Sequence, residues 1–430
     1  MPGSLAGRAL ATLGRHPGLQ TGARVLAAMS GGVDSSVMAA LLQEGGFEVV
    51  GVSMQLFEKG APRNAEGRCC TLDDFQDARR VAQHCGFPHF VMDFEERFRT
   101  TVIEPFVRSY LSGETPSPCI LCNQHLKFSA LLDRADALRA SHVATGHYAT
   151  VSQLDGRWHL HRAADPDKDQ SYFLFHHTQA TLPRTLFPLA ALWKPEVRIL
   201  GAELGLHLAD KPESQEICFV TQARYDAFID AQGGDPGPGE GPIRHLDGQV
   251  LGRHQGFWRH TVGQRRGLRV AHSEPLYVIR TDPATNTVWV GPEGNLAARN
   301  LLAREATWIG ASPSGPLACQ ARIRSRAVPA EALVIPLPDG RLQVSFADPQ
   351  RAITPGQGLG QELQGSAGQG QAPNPQGGRH PFTQGPEQSE LEGRREQGVS
   401  RHPQAIGAHR EASPGATRSI QAPPRSSSSR

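Results

Sequence analysis

The string Ser30-Gly31-Gly32-Val33-Asp34-Ser35-Ser36 combines residue types that bind phosphate groups. It directly follows the apolar run 24–29, and apolar residues at helical spacing come after it, which predicts a strand, a glycine turn and a helix. The glycines let backbone N–H groups approach an anion, while the helix N-terminus and the serine hydroxyls add favourable partial charge. Because the lysine of the G-x-x-x-x-G-K-[ST] loop is absent, we predict a different phosphate loop that binds a pyrophosphate group.

One of the seven cysteines, Cys122, is a candidate for nucleophilic chemistry by its position. An odd number of cysteines, unevenly spaced along a long chain, does not fit the disulfide framework of a small secreted domain and favours a reducing compartment. Cys122 directly precedes the predicted helix 123–138, and the N-terminus of a helix stabilises a thiolate. For a single thiol, a buried cysteine in a helix-capping turn is the alternative interpretation.

Strands and helices alternate along the first half of the chain. The pattern predicts strands at 24–29, 49–54, 89–93 and 142–145, and helices at 73–85, 95–111 and 123–138. Such alternation indicates an α/β domain with a parallel sheet and helices on both of its faces. Ligands on these sheets bind beyond the carboxyl ends of the strands, where the glycine turn lies.

Changes in composition divide the 430 residues into five parts. We predict a disordered leader at 1–22, a catalytic domain at 23–222 and a small central domain at 223–284. Short strands and turns then predict an antiparallel β-barrel domain at 285–358, whose last strand is missing. Residues 359–430 are dominated by Gly, Gln, Pro, Ser and Arg, and we expect a disordered low-complexity tail.

The charge and hydropathy of the chain limit its class of function. The formal net charge is +2, so any nucleic-acid binding depends on local basic patches rather than on a global field. No apolar run reaches the roughly 18 residues that a membrane-spanning helix needs. We expect a cytoplasmic protein without a membrane partner. The leader contains Arg8 and Arg15 and no acidic residue, so an organellar transit peptide is the alternative interpretation of that segment.

Four further motifs occur in a fixed order after the glycine turn. They are T-P-x-P-x-I-L-C-N-x-x-x-K-F at 115–128, Thr145-Gly146-His147-Tyr148, the string KDQSYFL at 168–174, and SQEICF at 214–219. With the S-G-G-x-D-S turn, this series resembles the bacterial tRNA-specific 2-thiouridylases, which belong to the PP-loop ATPase superfamily. The likeness runs from about Arg24 to Gly356.

The resemblance implies ATP-dependent 2-thiolation of the wobble uridine, U34, in the tRNAs for Lys, Glu and Gln. ATP adenylylates the C2 oxygen of uracil, because oxide is not a leaving group, and AMP and pyrophosphate are released. The resemblance further implies that Cys218 receives sulfur as a persulfide and that Cys122, the partner nucleophile, ends in a disulfide with it. A cysteine desulfurase or a sulfur-relay protein would supply the sulfur.

Site residues are carried over from the family position by position. The implied ATP contacts are Ala28, Met29, Ser30, Gly31, Gly32, Val33, Asp34, Ser35, Met54 and Gly146, and Mg²⁺ is expected with ATP. The implied tRNA contacts are Ser117, Pro118, Cys119, Lys168, Asp169, Gln170, Arg324 and Ser325. No separate metal ligand is assigned. Position 325 is Ser where an aromatic residue is common in the family.

Three alternatives remain open on the sequence alone. Cys119 and Cys122 have C-x-x-C spacing, and with Cys218 they could hold an iron–sulfur cluster that delivers the sulfur. Another PP-loop ligase, acting on a small molecule, would not need paired cysteines. A non-catalytic sulfur carrier or RNA-binding module would not need the glycine turn.

Three arginines alternate along a predicted strand, namely Arg322, Arg324 and Arg326. They form either a phosphate-binding stripe or a solvated face.

Overall fold

The computed structural model describes residues 3–57, 71–213, 217–220, 225–232 and 239–362. The chain divides into two compact units, Met1–Ala367 and Gly368–Arg430. The second unit lies outside the described residues. The predicted disordered tail therefore falls almost entirely outside them, as do residues 214–216 of the second cysteine motif and Cys69 and Cys70. For the tail, disorder stays a prediction.

A five-stranded parallel sheet forms the centre of the first half of the chain, which confirms the predicted α/β class. Its strands are β1 (Arg24–Ala28), β2 (Glu48–Gln55), β3 (His89–Asp93), β4 (His142–Ala144) and β7 (Thr185–Leu186), in the order β3-β2-β1-β4-β7. Between β4 and β7 the chain forms a separate hairpin of β5 (Ala149–Leu154) and β6 (Arg157–Arg162). From β1 the chain moves outward to β3 and returns to the other side of β1 as β4. This reversal opens a crevice at the carboxyl ends of β1 and β4, the usual ligand position in such sheets.

Nine α-helices and two π-helical stretches lie in the described residues. The α-helices are α1 (Leu5–Leu13), α2 (Val33–Glu44), α3 (Leu72–Cys85), α4 (Glu95–Phe98), α5 (Glu104–Leu111), α6 (Pro118–Cys122), α7 (Leu131–Ala137), α8 (Lys194–Glu203) and α9 (Tyr225–Ala231). The π-helical turns Arg99–Ile103 and Asn123–Ala130 join α4 to α5 and α6 to α7. The predicted helices 95–111 and 123–138 are therefore segmented, and the second begins earlier than predicted.

The predicted disordered leader is wrong for its described part, because α1 is folded onto the core. Ser4 caps the helix by accepting a hydrogen bond from the N–H of Gly7. Ala9 and Leu13 are buried in the cluster formed around α2, and Arg8 pairs with Glu196. The apolar residues of α1 have amphipathic helical spacing, which the prediction of a disordered leader did not take into account.

Leu13→Ala is expected to lower the free energy of unfolding by about 2–5 kcal/mol, the usual cost of truncating a buried leucine. The measurement is denaturant-induced unfolding of the full chain. Leu154→Ala is the control, because that side chain is 62% exposed and its loss should change stability by about 0.5 kcal/mol or less. Equal stability of the two variants would show that α1 is not part of the folded core.

The central domain is a four-stranded sheet, and its predicted end is wrong. Its strands, in the order β10-β11-β8-β9, are β8 (Gly241–His245), β9 (Val250–His254), β10 (Tyr277–Asp282) and β11 (Thr287–Gly291). The predicted boundary at 284 would separate β10 from β11, although the two are paired from Tyr277–Gly291 to Asp282–Thr287. The sheet shares one hydrophobic cluster with the catalytic domain, so the two domains have a continuous core.

A second five-stranded sheet forms the C-terminal domain, with a short last strand in place of the predicted gap. Its strands, in the order β12-β15-β14-β13-β16, are β12 (Ala297–Ala303), β13 (Leu317–Arg322), β14 (Ala330–Pro336), β15 (Leu342–Arg351) and β16 (Gly360–Glu362). β16 pairs antiparallel with β13 and lies beyond the predicted domain end at 358. All pairings in this sheet are antiparallel, as the sequence predicts.

Within the described part of the chain, no helix combines the length and the apolar composition that crossing a membrane requires.

Candidate active site

The glycine turn joins β1 to α2, and hydrogen bonds made by its own serines stabilise it. The Ser35 hydroxyl accepts from the N–H of Ser30 at 3.1 Å, contacts the Ser30 hydroxyl at 3.2 Å and donates to the Gly32 carbonyl at 3.1 Å. Gly31 has φ +74°, and a Cβ there would lie 2.3 Å from the Asp74 carbonyl oxygen at the start of α3. Only glycine fits this position, and the first N–H groups of α2 face the turn, as an anion site requires.

The predicted nucleotide contacts lie at the carboxyl ends of three neighbouring strands. Gly146 follows β4, and a Cβ on it would lie 2.8 Å from the N atom of Ser35, so β4 and the turn approach closely. Met54 lies near the end of β2 and is buried, as its alternative interpretation as a core residue also requires. The Met29 N–H donates to the Val52 carbonyl, which joins the turn to β2. The turn and these strand ends therefore lie side by side, at the usual ligand position of such a sheet.

Asp34, in the first turn of α2, is neutralised by residues that sequence reasoning missed. Lys194 Nζ donates to both carboxylate oxygens, at 2.7 and 2.8 Å, and the Tyr148 hydroxyl donates to Oδ1 at 2.9 Å. The Lys194 side chain is only 8% exposed. Burial, followed by the nearby Asp34 charge, raises the pKa of Tyr148, so its hydroxyl stays a donor. With both oxygens engaged, Asp34 is held as an ion-pair partner and not as a preformed Mg²⁺ ligand.

Two further lysines connect the turn to its surroundings. Lys211 Nζ donates to the Gly31 carbonyl at 3.0 Å and also to Asp74 and Asp77 at 2.8 and 2.7 Å. Burial lowers the pKa of Lys211, but the two carboxylates outweigh burial and raise it overall. Lys168 donates to Glu213 at 2.7 Å.

Glu213 connects this basic group to the second cysteine motif. It pairs with Lys194 at 2.9 Å as well as with Lys168, and it directly precedes the motif 214–219. Burial raises the pKa of Glu213, but hydrogen bonds from the two lysines outweigh that effect and lower it. A continuous set of ion pairs therefore runs from the glycine turn to the segment that carries Cys218.

Cys122 does not lie at the start of a helix, which corrects the prediction. α6 begins at Pro118, which occupies the first helical position that proline favours, with Ser117 before it. Cys122 is the last residue of α6 and is buried, whereas Cys119 lies in the first turn and is exposed. The effect of the helix dipole is confined to the first turn, so that argument does not apply to Cys122.

Cys122 and Cys218 nevertheless belong to one hydrophobic cluster, despite their separation in the sequence. Cys122 is buried within the cluster and is 8% exposed, while the half-buried Cys218 packs against it. Met54 and Ala28 of the predicted nucleotide site belong to the same cluster. The core of the catalytic domain therefore joins both candidate sulfur residues to the strand ends of the ATP site.

An iron–sulfur cluster is not supported by the donor set. Among the described residues, which include Cys119, Cys122 and Cys218, no group of three His, Cys, Asp or Glu side chains is arranged to hold a metal ion. A cluster with one open iron needs three converging thiolates.

The predicted tRNA-contacting segment 168–170 is largely engaged within the protein. The Asp169 side chain is 4% exposed and is ion-paired with Arg322, so the predicted contact through this carboxylate is corrected. Gln170 Oε1 accepts from the Tyr148 N–H, and the Gln170 N–H donates to the Tyr148 carbonyl, both at 2.9 Å. Lys168, half-buried beside Glu213, keeps a partly exposed ammonium.

The predicted arginine stripe is wrong, because β13 ends at Arg322. Arg324 and Ser325 follow in a turn, and Arg326 is exposed. Arg324 donates to the Ala352 carbonyl at 2.7 Å and to Thr354 at 2.8 Å. The three guanidinium groups therefore have different surroundings and do not form one face.

The segment 355–360 packs directly onto the approach to α6. The Pro355 carbonyl accepts from the Thr115 N–H at 2.8 Å, and Gln357 bonds to the Thr115 carbonyl at 2.6 Å and to the Ser117 hydroxyl at 3.1 Å. The Tyr172 hydroxyl donates to the Gly358 carbonyl at 2.6 Å. With the Arg322–Asp169 ion pair, the C-terminal domain thus contacts both predicted tRNA segments, 117–119 and 168–170.

Three family models match consecutive parts of the chain. They are described as the tRNA methyl transferase HUP domain at residues 23–222, the tRNA methyl transferase PRC-barrel domain at 228–292 and the aminomethyltransferase beta-barrel domain at 298–359. The matches occur in the order of the three folded parts described above.

Similar curated proteins carry one name. The chain is 50% identical over 339 residues to the tRNA-specific 2-thiouridylase MnmA of Heliobacterium modesticaldum, with 78% of this chain and 88% of that protein covered. It is 48% identical over 341 residues to the protein of that name from Geotalea uraniireducens, with 78% and 91% covered. The likeness thus extends over nearly the whole length of these relatives.

Proposed function

The chain belongs to the family of tRNA-specific 2-thiouridylases, and from this membership we propose that it uses ATP to replace the C2 oxygen of a tRNA uridine with sulfur. The finer proposal is that the uridine is U34 of the tRNAs for Lys, Glu and Gln. AMP and pyrophosphate are the expected co-products, and the cytoplasm, where tRNA is modified, is the expected compartment.

The observation that carries this proposal is the shared hydrophobic cluster of Cys122, Cys218, Met54 and Ala28. Sulfur transfer from a persulfide needs a second thiol close enough to cleave the S–S bond. It must also take place beside the activated uracil, because the adenylylated oxygen leaves only when sulfur attacks. Membership of one packed core, which also extends into the central domain, supports the pairing of the two cysteines with the strand ends of the proposed ATP site.

The proposed reaction balances with these residues. Attack of the uracil C2 oxygen on the α-phosphate of ATP forms a C–O–P bond and releases pyrophosphate. The terminal sulfur of a Cys218 persulfide then bonds to C2, and AMP departs. Cys122 attacks the inner sulfur of Cys218, so the S–S bond to the transferred sulfur breaks, C2=S remains and a Cys122–Cys218 disulfide forms. An external dithiol reductant restores both thiols.

The chain's own residues prepare the nucleotide site. The first N–H groups of α2 and the hydroxyls of Ser30 and Ser35 would contact the leaving pyrophosphate, and Gly146 lets β4 approach the turn closely. Lys194 and Lys211 hold the turn in place, Lys194 through the Asp34 carboxylate and Lys211 through the Gly31 carbonyl. Mg²⁺ accompanying ATP would offset the remaining pyrophosphate charge.

The test is formation of 2-thiouridine from Mg-ATP, an unmodified tRNA bearing U34 and a cysteine desulfurase with cysteine as sulfur source. We expect product from the wild type, and none above background from Cys122→Ser or Cys218→Ser, because each removes one of the two sulfurs that the exchange needs. Nucleoside mass spectrometry of the digested tRNA is the measurement. Cys85→Ser is the matched control, since Cys85 ends α3 outside this cluster and its variant should keep the wild-type rate.

Two results would contradict the proposal. Full activity of either serine variant would exclude the paired-cysteine mechanism. Conversion of ATP to AMP without 2-thiouridine, unchanged in both variants, would favour a PP-loop ligase acting on a small molecule.

A further inference from the structure

We propose that Arg322 of the C-terminal domain is a positioning residue, which holds the tRNA-contacting segment 168–171 in place from inside the protein rather than binding a phosphate itself. This inference rests on the proposed function, because that function makes the segment a tRNA contact. It gives the C-terminal domain a role in shaping the catalytic domain's tRNA surface.

The guanidinium of Arg322 reaches across to two residues of the segment. Its Nη1 lies 3.3 Å from Asp169 Oδ2, and its Nη2 donates to the Ser171 hydroxyl at 3.2 Å. The same carboxylate accepts from the Ser171 hydroxyl at 2.9 Å and from the N–H groups of Ser171 and Ala163. Asp169 therefore organises the turn, and Arg322 holds Asp169.

Burial separates this role from phosphate binding. The side chains of Arg322 and Asp169 are 8% and 4% exposed, so a tRNA phosphate reaches the guanidinium only if the ion pair is broken. Arg322 also lies over the Tyr172 ring, at 5.8 Å from its centroid, and its backbone pairs with Gly360 in β16. The Arg322 side chain is thus held by Asp169 and by the Tyr172 ring. Loss of either Arg322 or Asp169 would leave the charge of the other buried without its partner.

The segment held by Arg322 continues to the nucleotide site. Gln170, next to Asp169, exchanges two hydrogen bonds with Tyr148, whose hydroxyl donates to Asp34 in the first turn of α2. If Asp169 is displaced, its neighbour Gln170 moves as well. The hydrogen bonds of Gln170 to Tyr148, which contacts Asp34, would then be disturbed. The uridine and the nucleotide must approach to within bonding distance, and a displacement of about 1 Å can cost on the order of 100-fold in rate.

The experiment compares Arg322→Gln with Arg341→Gln in the full chain. Arg341 also pairs with an aspartate in the C-terminal domain, at 2.5 Å from Asp339, but this pair is about half exposed. For Arg322→Gln we expect faster amide hydrogen exchange over 163–171, tRNA affinity lowered about 10-fold, and slower formation of 2-thiouridine. Arg341→Gln should match the wild type in all three measurements.

The salt dependence of tRNA binding distinguishes positioning from phosphate contact. A lost phosphate contact reduces the slope of log K against log salt by roughly 0.7–0.9, whereas loss of a buried positioning residue leaves the slope unchanged. In the double variant with Asp169→Asn, the loss of affinity should not exceed that of Arg322→Gln alone, because both changes break one ion pair.

Two outcomes overturn the inference: a reduced salt slope, or unchanged exchange over 163–171 in a folded Arg322→Gln protein. If Arg322→Gln does not fold, Arg322→Lys takes its place, because lysine keeps the charge but cannot bond to both Asp169 and Ser171 in the same geometry. If the wild type binds no tRNA while exchange over 163–171 rises in the variant, the positioning role stands and the proposed function fails.

Discussion

Gly31→Ala is expected to weaken ATP binding on the order of 100-fold and to abolish 2-thiouridine formation at ordinary ATP concentrations. The new Cβ would lie 2.3 Å from the Asp74 carbonyl oxygen and 2.6 Å from its Cα, so backbone must move on one side. Asp74 belongs to the capping box of α3 and also accepts from Lys211, which holds the Gly31 carbonyl. The turn is therefore the part that shifts, and N–H groups aimed at the pyrophosphate lose their alignment. Equilibrium binding of ATP is the measurement.

Gly46→Ala is the matched control for this variant. Gly46 has φ +76°, almost the same as the +74° of Gly31, but a Cβ there meets no atom within 4 Å. Both variants carry the cost of roughly 1–2 kcal/mol for a left-handed alanine, and only Gly31→Ala adds the collision. If both variants lose equal stability and both bind ATP normally, close packing of the turn is not what shapes the nucleotide site.

Much of this site was predictable because its signals are local. A strand, a glycine turn and a helix follow one another within residues 24–44, and Gly31, in the turn, has φ +74°. The parallel sheet follows from the same alternation, repeated along the chain.

Of the lysines around the turn, Lys168 was predicted as a tRNA contact, whereas Lys194 and Lys211 were not predicted, although the composition held a signal. Only five lysines occur in a chain whose basic residues are mostly arginine, and Lys168, Lys194 and Lys211 all join the ion-pair network of the glycine turn. An ammonium group is a compact charge that fits beside a buried carboxylate such as Asp34. For Lys194 and Lys211, the rare residue type is the signal that the sequence offers, since neither lies in one of the motifs.

Other errors arose where a long-range contact decides the outcome. Asp169 lies in a polar string that reads as an exposed turn, and only the fold brings Arg322 to it across the domain boundary. The start of α6 was misplaced for a different reason. Pro118 occupies the first helical position, which proline favours, so the helix begins before the predicted residue 123.

Gly356→Ala is expected to lower the rate of thiolation about 10–100-fold while leaving ATP affinity unchanged. Gly356 has φ +86°, and a Cβ would lie 2.8 Å from the Glu114 Cβ and 2.9 Å from the Thr115 N atom. Thr115 is bonded to Pro355 and Gln357, so the strain passes into the approach to α6, which ends at Cys122. The cysteine then loses its alignment with the activated uracil. Single-turnover formation of 2-thiouridine at saturating ATP and tRNA is the measurement.

Gly340→Ala isolates the effect of packing from that of backbone strain. Gly340, in the turn between β14 and β15, has φ +82° and no atom within 4 Å of its would-be Cβ, so its alanine variant should thiolate at the wild-type rate. Gly358→Ala should be intermediate, since its new Cβ meets the movable end of Ile120 at 2.8 Å rather than backbone. A wild-type rate in a folded Gly356→Ala protein would mean that the C-terminal domain does not position the cysteine segment. The graded loss would instead make segment 355–360 part of what holds Cys122 at the reacting uracil.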